Sequence, residues 1–135
     1  MPASTTTVGV DLATASVVQM DGVLLGGDIN ILRKKDENTS AVFFSYLLTY
    51  RLRSRIASVA QGITIVHLYG SHLAGLEVDV PDFEEQAAIA EVLAALDQEI
   101  GGLHEQVHQL AGEKQALMQK LLSGKNRFKT TDEVE

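Results

Sequence analysis

Between Asp82 and Gly124 apolar residues recur at alternating steps of four and three: Ile89, Leu93, Leu96, Ile100, Leu103, Val107, Leu110, Leu117 and Leu121, with Lys114 completing the series. A sustained 4-3 spacing is the heptad pattern of a helix that buries a narrow stripe against another helix. Leu93, Ile100, Val107, Lys114 and Leu121 take the a positions, and Ile89, Leu96, Leu103, Leu110 and Leu117 take the d positions. The ends are marked as well. Pro81 precedes Asp82, which with Glu85 three residues on fits an N-cap and its capping-box partner. Glu84 and Glu85 suit the positive end of the helix dipole, Lys120 and Lys125 the negative end. Gly124 stands where a left-handed closing residue is expected. Such a helix is about 60 Å long. The eighty residues before it cannot cover that length, so a partner helix is expected.

Two totals narrow the class. The 135-residue chain has no cysteine, which excludes disulfides and thiolate metal sites and suits a cytoplasmic protein. It has no run of eighteen apolar residues to span a membrane, and no basic-then-apolar start that would mark a secretory signal. The net charge of −7 divides unevenly: residues 1–81 carry seven acids against six bases, residues 82–135 eleven against five. An acidic chain argues against a free-standing nucleic-acid binder, because phosphate contact calls for basic surface. The nearly neutral first part keeps that question open.

In chain order, Met1–Thr7 is small and polar and is expected to fray. Val8–Leu12, Ser16–Met20, Val23–Leu25 and Ile29–Leu32 read as short strands, with turns at Asp21-Gly22 and Gly26-Gly27-Asp28. A polar loop, Arg33–Asn38, follows. Phe43, Phe44, Leu47, Leu48, Leu52, Ile56 and Val59 recur at helical intervals, which predicts a helix over Ser40–Ala60 capped by Thr39 or Ser40. Gln61-Gly62 ends it. Thr64–Tyr69 is a β-prone run, and Leu76, Val78 and Val80 alternate in a last strand. The expected fold class is α+β, in three parts: a β-rich lobe over residues 1–81 with a packed helix, the long coiled-coil-forming helix over 82–124, and a polar tail over 125–135, expected to be disordered beyond Phe128.

Three stretches together resemble the specificity subunit of type I restriction-modification systems. They are Val23-Leu24-Leu25-Gly26-Gly27-Asp28-Ile29-Asn30-Ile31-Leu32-Arg33, Ala60-Gln61-Gly62-Ile63-Thr64-Ile65-Val66-His67-Leu68, and Val80-Pro81-Asp82-Phe83-Glu84-Glu85-Gln86, whose helix closes with Gln119-Lys120-Leu121-Leu122-Ser123-Gly124-Lys125. The resemblance covers most of the chain, about residues 20–128. It implies that the lobe over residues 1–81 is a truncated target-recognition domain, its C-terminal part, followed by one spacer helix, where a full specificity subunit has two of each. The portion expected before about Val17 is missing or replaced, which removes part of the base-reading surface.

The resemblance further implies a non-catalytic protein that helps select a DNA target and docks a methyltransferase (modification) subunit through the long helix. S-adenosylmethionine and ATP would belong to the partner subunits, so no cofactor is expected here. A one-helix version would have to form a homodimer to rebuild the paired spacer. Ile or Val at a with Leu at d suits a parallel pair, but that pairing sets Lys114 against its own copy. An antiparallel pair centred near Glu105 puts Lys114 near the partner's Leu96, where its stem lies along the seam, and is the favoured arrangement. The reading from another class is a degenerate dimerisation or decoy module that binds partner subunits without DNA.

The chemistry-bearing residues fall into two sets. Arg33, Lys34 and Lys35 are candidate contacts to double-stranded DNA phosphates, with Arg51, Arg53 and Arg55 fanned around the second helix. Gln61, Thr64, His67 and Ser71, in or beside the turn resembling the family's DNA-facing loop, carry amide, hydroxyl and imidazole groups able to bond base edges or phosphates. His104-Glu105-Gln106-Val107-His108 matches the H-E-x-x-H zinc pattern, but the seam places both histidines on an outward helical face without a cleft or third ligand, so no metal site is expected. Gly26-Gly27-Asp28 lacks the Gly-Lys-Ser/Thr of a phosphate loop. Gly101-Gly102, off the seam, marks either a bend or a place of close approach.

Overall fold

The computed structural model describes residues 1–6 and 8–127. It divides into two units, Met1–Leu93 and Ala94–Glu135. It is mixed in class: a two-stranded sheet, short helices and one long C-terminal helix.

The first unit is built around Leu12, Ala13, Leu52, Ile56 and Leu68, all buried. Val66, Leu73, Leu76 and Val78 pack around them. Each fully buried Leu or Ile contributes about 1.5–3 kcal/mol, so this small cluster is the main source of the lobe's stability.

Its backbone frame is assembled from distant segments. Strand β1 (Ser4–Thr5) pairs antiparallel with β2 (Val66–His67), Ser4 opposite His67 and Thr5 opposite Val66. On the other side of the same segment, Pro2 bridges Ile29. The Asn30 N–H donates to the Met1 carbonyl at 2.8 Å, and the Ala3 N–H to Asp28 at 3.0 Å. The Met1 amine donates to the Asn30 carbonyl, and its partial burial pushes its pKa down. Met1–Thr5 is therefore the middle of the ladder, not the frayed end its composition suggests.

The β-structure of the first third is smaller than the alternating residues predict. Val8–Leu12 does not form a strand: Gly9–Ala13 is a 3-10 turn that buries Leu12 and Ala13 against the helix over Arg53–Val59. Its backbone closes locally, Asp11 N–H to Val8 carbonyl at 2.9 Å. Ser16–Met20 and Val23–Leu25 are irregular, and of Ile29–Leu32 only Ile29 takes part in a bridge. These runs are too short for periodicity to separate strand from extended loop, and among the described residues only Ile29 and Asn30 of them find a pairing segment, at Met1–Ala3. Leu76, Val78 and Val80 are likewise extended without a ladder, although Leu76 and Val78 do turn toward the core.

The predicted helix over Ser40–Ala60 is present but interrupted. It runs as α1 (Ala41–Tyr46), a π-helical turn over Leu47–Arg51, and α2 (Arg53–Val59). The Ser40 hydroxyl caps it by accepting from Phe43 N–H at 3.3 Å. The wide turn lets Thr49 reach out of the helix: its hydroxyl accepts from Ala15 N–H at 3.0 Å. A short helix, α3 (Gly70–Ala74), follows β2.

Helix α4 (Phe83–Leu122) begins within this unit. The Asp82 carboxylate accepts from Glu85 N–H at 2.9 Å, the expected N-cap. Gln86, 3% exposed, fastens the entry: its Oε1 accepts from Ser40 N–H at 3.1 Å and its Nε2 donates to the Pro81 carbonyl at 2.9 Å. Ala90, one turn on, is buried as well.

The second unit is the remainder of α4 with its closing turn. Gly124 has φ +71°, the left-handed value that favours glycine at a helix end. Of the seam residues, Ile89, Leu96, Ile100, Leu103, Val107, Leu110 and Leu117 are exposed, while Leu93 and Leu121 are half-buried. Gly101 and Gly102 lie within the uninterrupted helix. The tail expected from Lys125 onward lies, beyond Arg127, outside the described residues.

Candidate nucleic-acid interface

The ladder has two faces because successive strand residues point oppositely. Val66 and Leu68 turn inward to the core. His67 and Tyr69 therefore turn outward. Gln61 is tied to His67 by a pair of backbone bonds, Gln61 N–H to His67 carbonyl at 2.8 Å and His67 N–H to Gln61 carbonyl at 2.7 Å. Residues opposed in an antiparallel pair share a face, so Gln61, His67 and Ser4 form one outward row. Ser4 also donates its hydroxyl hydrogen to Asp28.

The bonds between Gln61 and His67 close a tight loop that carries Thr64, which is exposed at its far side. Gly62 makes the loop possible: at φ +131° an added Cβ would stand 1.9 Å from the Ile65 carbonyl oxygen. Only glycine fits there. Ile63, next to it, is fully exposed.

Of the predicted polar set, then, Gln61 and His67 are joined directly, Thr64 rides on the loop they close, and Ser71 lies exposed in α3. Arg33, Lys34 and Lys35 are exposed on an irregular loop and share no hydrogen bond or ion pair with the polar set among the described residues. They line an open cavity of about 850 Å3 together with Val18, Val23, Ile31, Phe44 and Leu48. The root of their loop is anchored near the row, because the Asn30 amide donates to the Leu68 carbonyl at 2.8 Å.

Two cations are already engaged. Lys34 pairs with Glu37 at 2.6 Å, and Arg53 approaches Asp11 at 3.8 Å and donates to the Val10 carbonyl. Exposed pairs of this kind contribute little to stability, but each reduces the charge offered to a phosphate.

Tyr69, on the same outward face, is a residue that sequence reasoning passed over. Its ring lies 6.0 Å from that of His67 with planes 20° apart, and the His72 ring meets it edge-on at 5.5 Å. The alternation of His67 and Tyr69 with Val66 and Leu68 was the available signal. Asn30 was also passed over, and its role depends on a partner thirty-eight residues away.

The outward-turned His104 and His108 are exposed on α4, and among the described residues no group of three His, Cys, Asp or Glu side chains stands close enough to hold a metal ion. No described helix is long and apolar enough to cross a membrane.

A family model described as the type I restriction modification DNA specificity domain matches residues 2–110, which include both strands and the outward row. The MjaX type I restriction enzyme specificity subunit of Methanocaldococcus jannaschii is 28% identical over 117 residues, covering 77% of this chain and 27% of that protein. The chain thus spans about a quarter of the length of this relative. No solved structure matches it. With most of its length matched, lobe and helix entry included, this chain belongs to the type I restriction-modification DNA specificity domain family.

Proposed function

We propose that this chain is a non-catalytic DNA-specificity half-subunit. Its lobe contacts double-stranded DNA through Gln61, Thr64, His67 and Ser71, with Arg33, Lys34 and Lys35 as phosphate contacts. The observation that carries the reading is the outward row: the ladder that buries Val66 and Leu68 presents His67 beside Gln61, within the stretch matched by a DNA specificity family. Amide and imidazole groups held on a fixed backbone are suited to base-edge bonding.

The three parts have separate tasks in this proposal: residues 1–81 read DNA, residues 82–124 form the coiled coil, and residues 125–135 are an appendage. The uncovered seam of α4 supports a homodimer, and the antiparallel arrangement keeps Lys114 away from its own copy. The helix pair then also docks a methyltransferase subunit. A symmetric dimer reads an inverted, interrupted target.

The test is a gel shift at several salt concentrations on the chain co-purified with a modification subunit. Binding at low salt that falls when Arg33, Lys34 and Lys35 are all changed to alanine supports the reading. No shift at low salt and no co-purification would sink it.

The net charge of −7 and the engagement of Lys34 and Arg53 favour a second reading, in which the chain is a dimerisation or decoy module that binds partner subunits alone. The same triple substitution would then leave every measurable interaction unchanged.

A further inference from the structure

We propose that the His67–Tyr69 ring pair is a stacking ledge for an unpaired DNA base, so that the lobe binds DNA carrying an extrahelical base more tightly than closed duplex. This rests on the DNA-reading proposal and deepens it.

The geometry is that of a preformed platform. The planes of the two rings are 20° apart, and Tyr69 is 51% exposed. The His72 ring packs at 90° to that of Tyr69, and among the described residues the buried Nδ1 of His72 has no hydrogen-bond partner. The backbone beneath is fixed. The Tyr69 carbonyl accepts from His72 N–H at 3.0 Å and from Leu73 N–H at 3.3 Å, while Leu68 donates to Ala3 at 2.7 Å. Little ordering is therefore needed to receive a base.

Beside this ledge, in the row through His67, stands Gln61, whose exposed amide offers both donor and acceptor to a base edge. Bases in closed duplex hide their flat surfaces and offer aromatic side chains nothing to stack on. An extrahelical base exposes one.

The electrostatics point the same way. Residues 1–81 carry a net charge of only −1, and two of their six cations are engaged by acids. Phosphate neutralisation alone gives such a surface weak affinity, which falls further as salt is added. Ring stacking does not release counterions, so it supplies a salt-insensitive increment.

The experiment is fluorescence anisotropy with three labelled DNAs at two salt concentrations: a closed duplex, the same duplex with one bulged base, and the same bulge carrying an abasic sugar. The intact chain is expected to bind the bulged base about tenfold more tightly than either control, at both salt concentrations. Tyr69→Ala and Tyr69→Leu should abolish that preference, and Tyr69→Phe should keep it. Circular dichroism checks that each variant is folded.

Equal binding of the abasic and base-bearing bulges would overturn the ledge, because flexibility and not stacking would then be read. Survival of the preference in folded Tyr69→Leu would overturn it too. Closed-duplex binding without preference removes this inference alone, whereas no binding to any of the three removes the DNA reading with it.

Discussion

Leu12, Ile56 and Leu68 are sealed from water by residues of their own lobe, whereas Ile100, Leu103 and Val107 are 50%, 54% and 64% exposed on the helical unit. Both regions carry aliphatic residues at regular intervals, and the same hydrophobic driving force acts on each. The lobe satisfies it by folding distant segments together. The helix has satisfied its backbone and left its side chains waiting. Regular spacing thus announces that a face will be buried, while what buries it depends on whether the chain supplies a second surface.

That contrast yields four measurements. The largest effect is expected on the uncovered side. Leu103→Asp places a carboxylate in the proposed seam of each copy, and should weaken dimerisation by on the order of 4 kcal/mol, about a thousandfold. Sedimentation across a concentration series reads this directly. A wild-type chain that stays monomeric at high concentration would end the contrast, since the seam would then need no cover.

On the sealed side, Ile56→Ala should cost about 3 kcal/mol of lobe stability through lost burial and the cavity left behind. Urea unfolding followed by tyrosine fluorescence should report the loss, and the sedimentation coefficient should not change. If it did change, lobe and seam would not be independent.

Gln86→Glu sharpens the comparison at the join. An amide both accepts from Ser40 and donates to Pro81, and a carboxylate can only accept. A loss of about 2 kcal/mol is expected at neutral pH. Burial against a carbonyl raises the pKa of the introduced acid above its unfolded value. The variant should therefore be most stable at acid pH and lose stability as pH rises through that raised value. A flat pH profile for the difference from wild type would show that the donor bond to Pro81 is dispensable.

The smallest effect is a gain. A Cβ added at Gly102 meets nothing within 4 Å, so Gly102→Ala should stabilise the helix by about 1 kcal/mol, seen as raised helicity on heating. If the same change weakens co-purification with a modification subunit, that glycine marks a site of close approach.

Legibility in the sequence followed contact distance. The α4 boundaries, its Asp82 cap and its Gly124 stop were readable because each depends on residues within a turn or two of one another. The Ser40 cap and the helix it opens were readable for the same reason. The ladder was not. Its bonds join Ala3 to Leu68 and Met1 to Asn30, and nothing local in a small polar N-terminus announces partners so far away. Val8–Leu12 misled because alternating residues in so short a run suit a strand and a 3-10 turn equally. Gln61, Thr64, His67 and Ser71 were named from a resemblance in one stretch, but the cross-strand bridge that joins Gln61 to His67, and leaves Ser71 apart in α3, was not legible there. Tyr69 went unnamed because its stacking on His67 is a matter of ring angle, which residue spacing does not give.

The four residues from Val66 to Tyr69 serve two masters at once, odd ones outward and even ones inward. A single inserted or deleted codon there would trade the two sets, sending histidine and tyrosine into the interior and leaving valine and leucine on the outside. Replacing a side chain in place leaves that alternation intact, whereas changing the length of the strand by one residue does not.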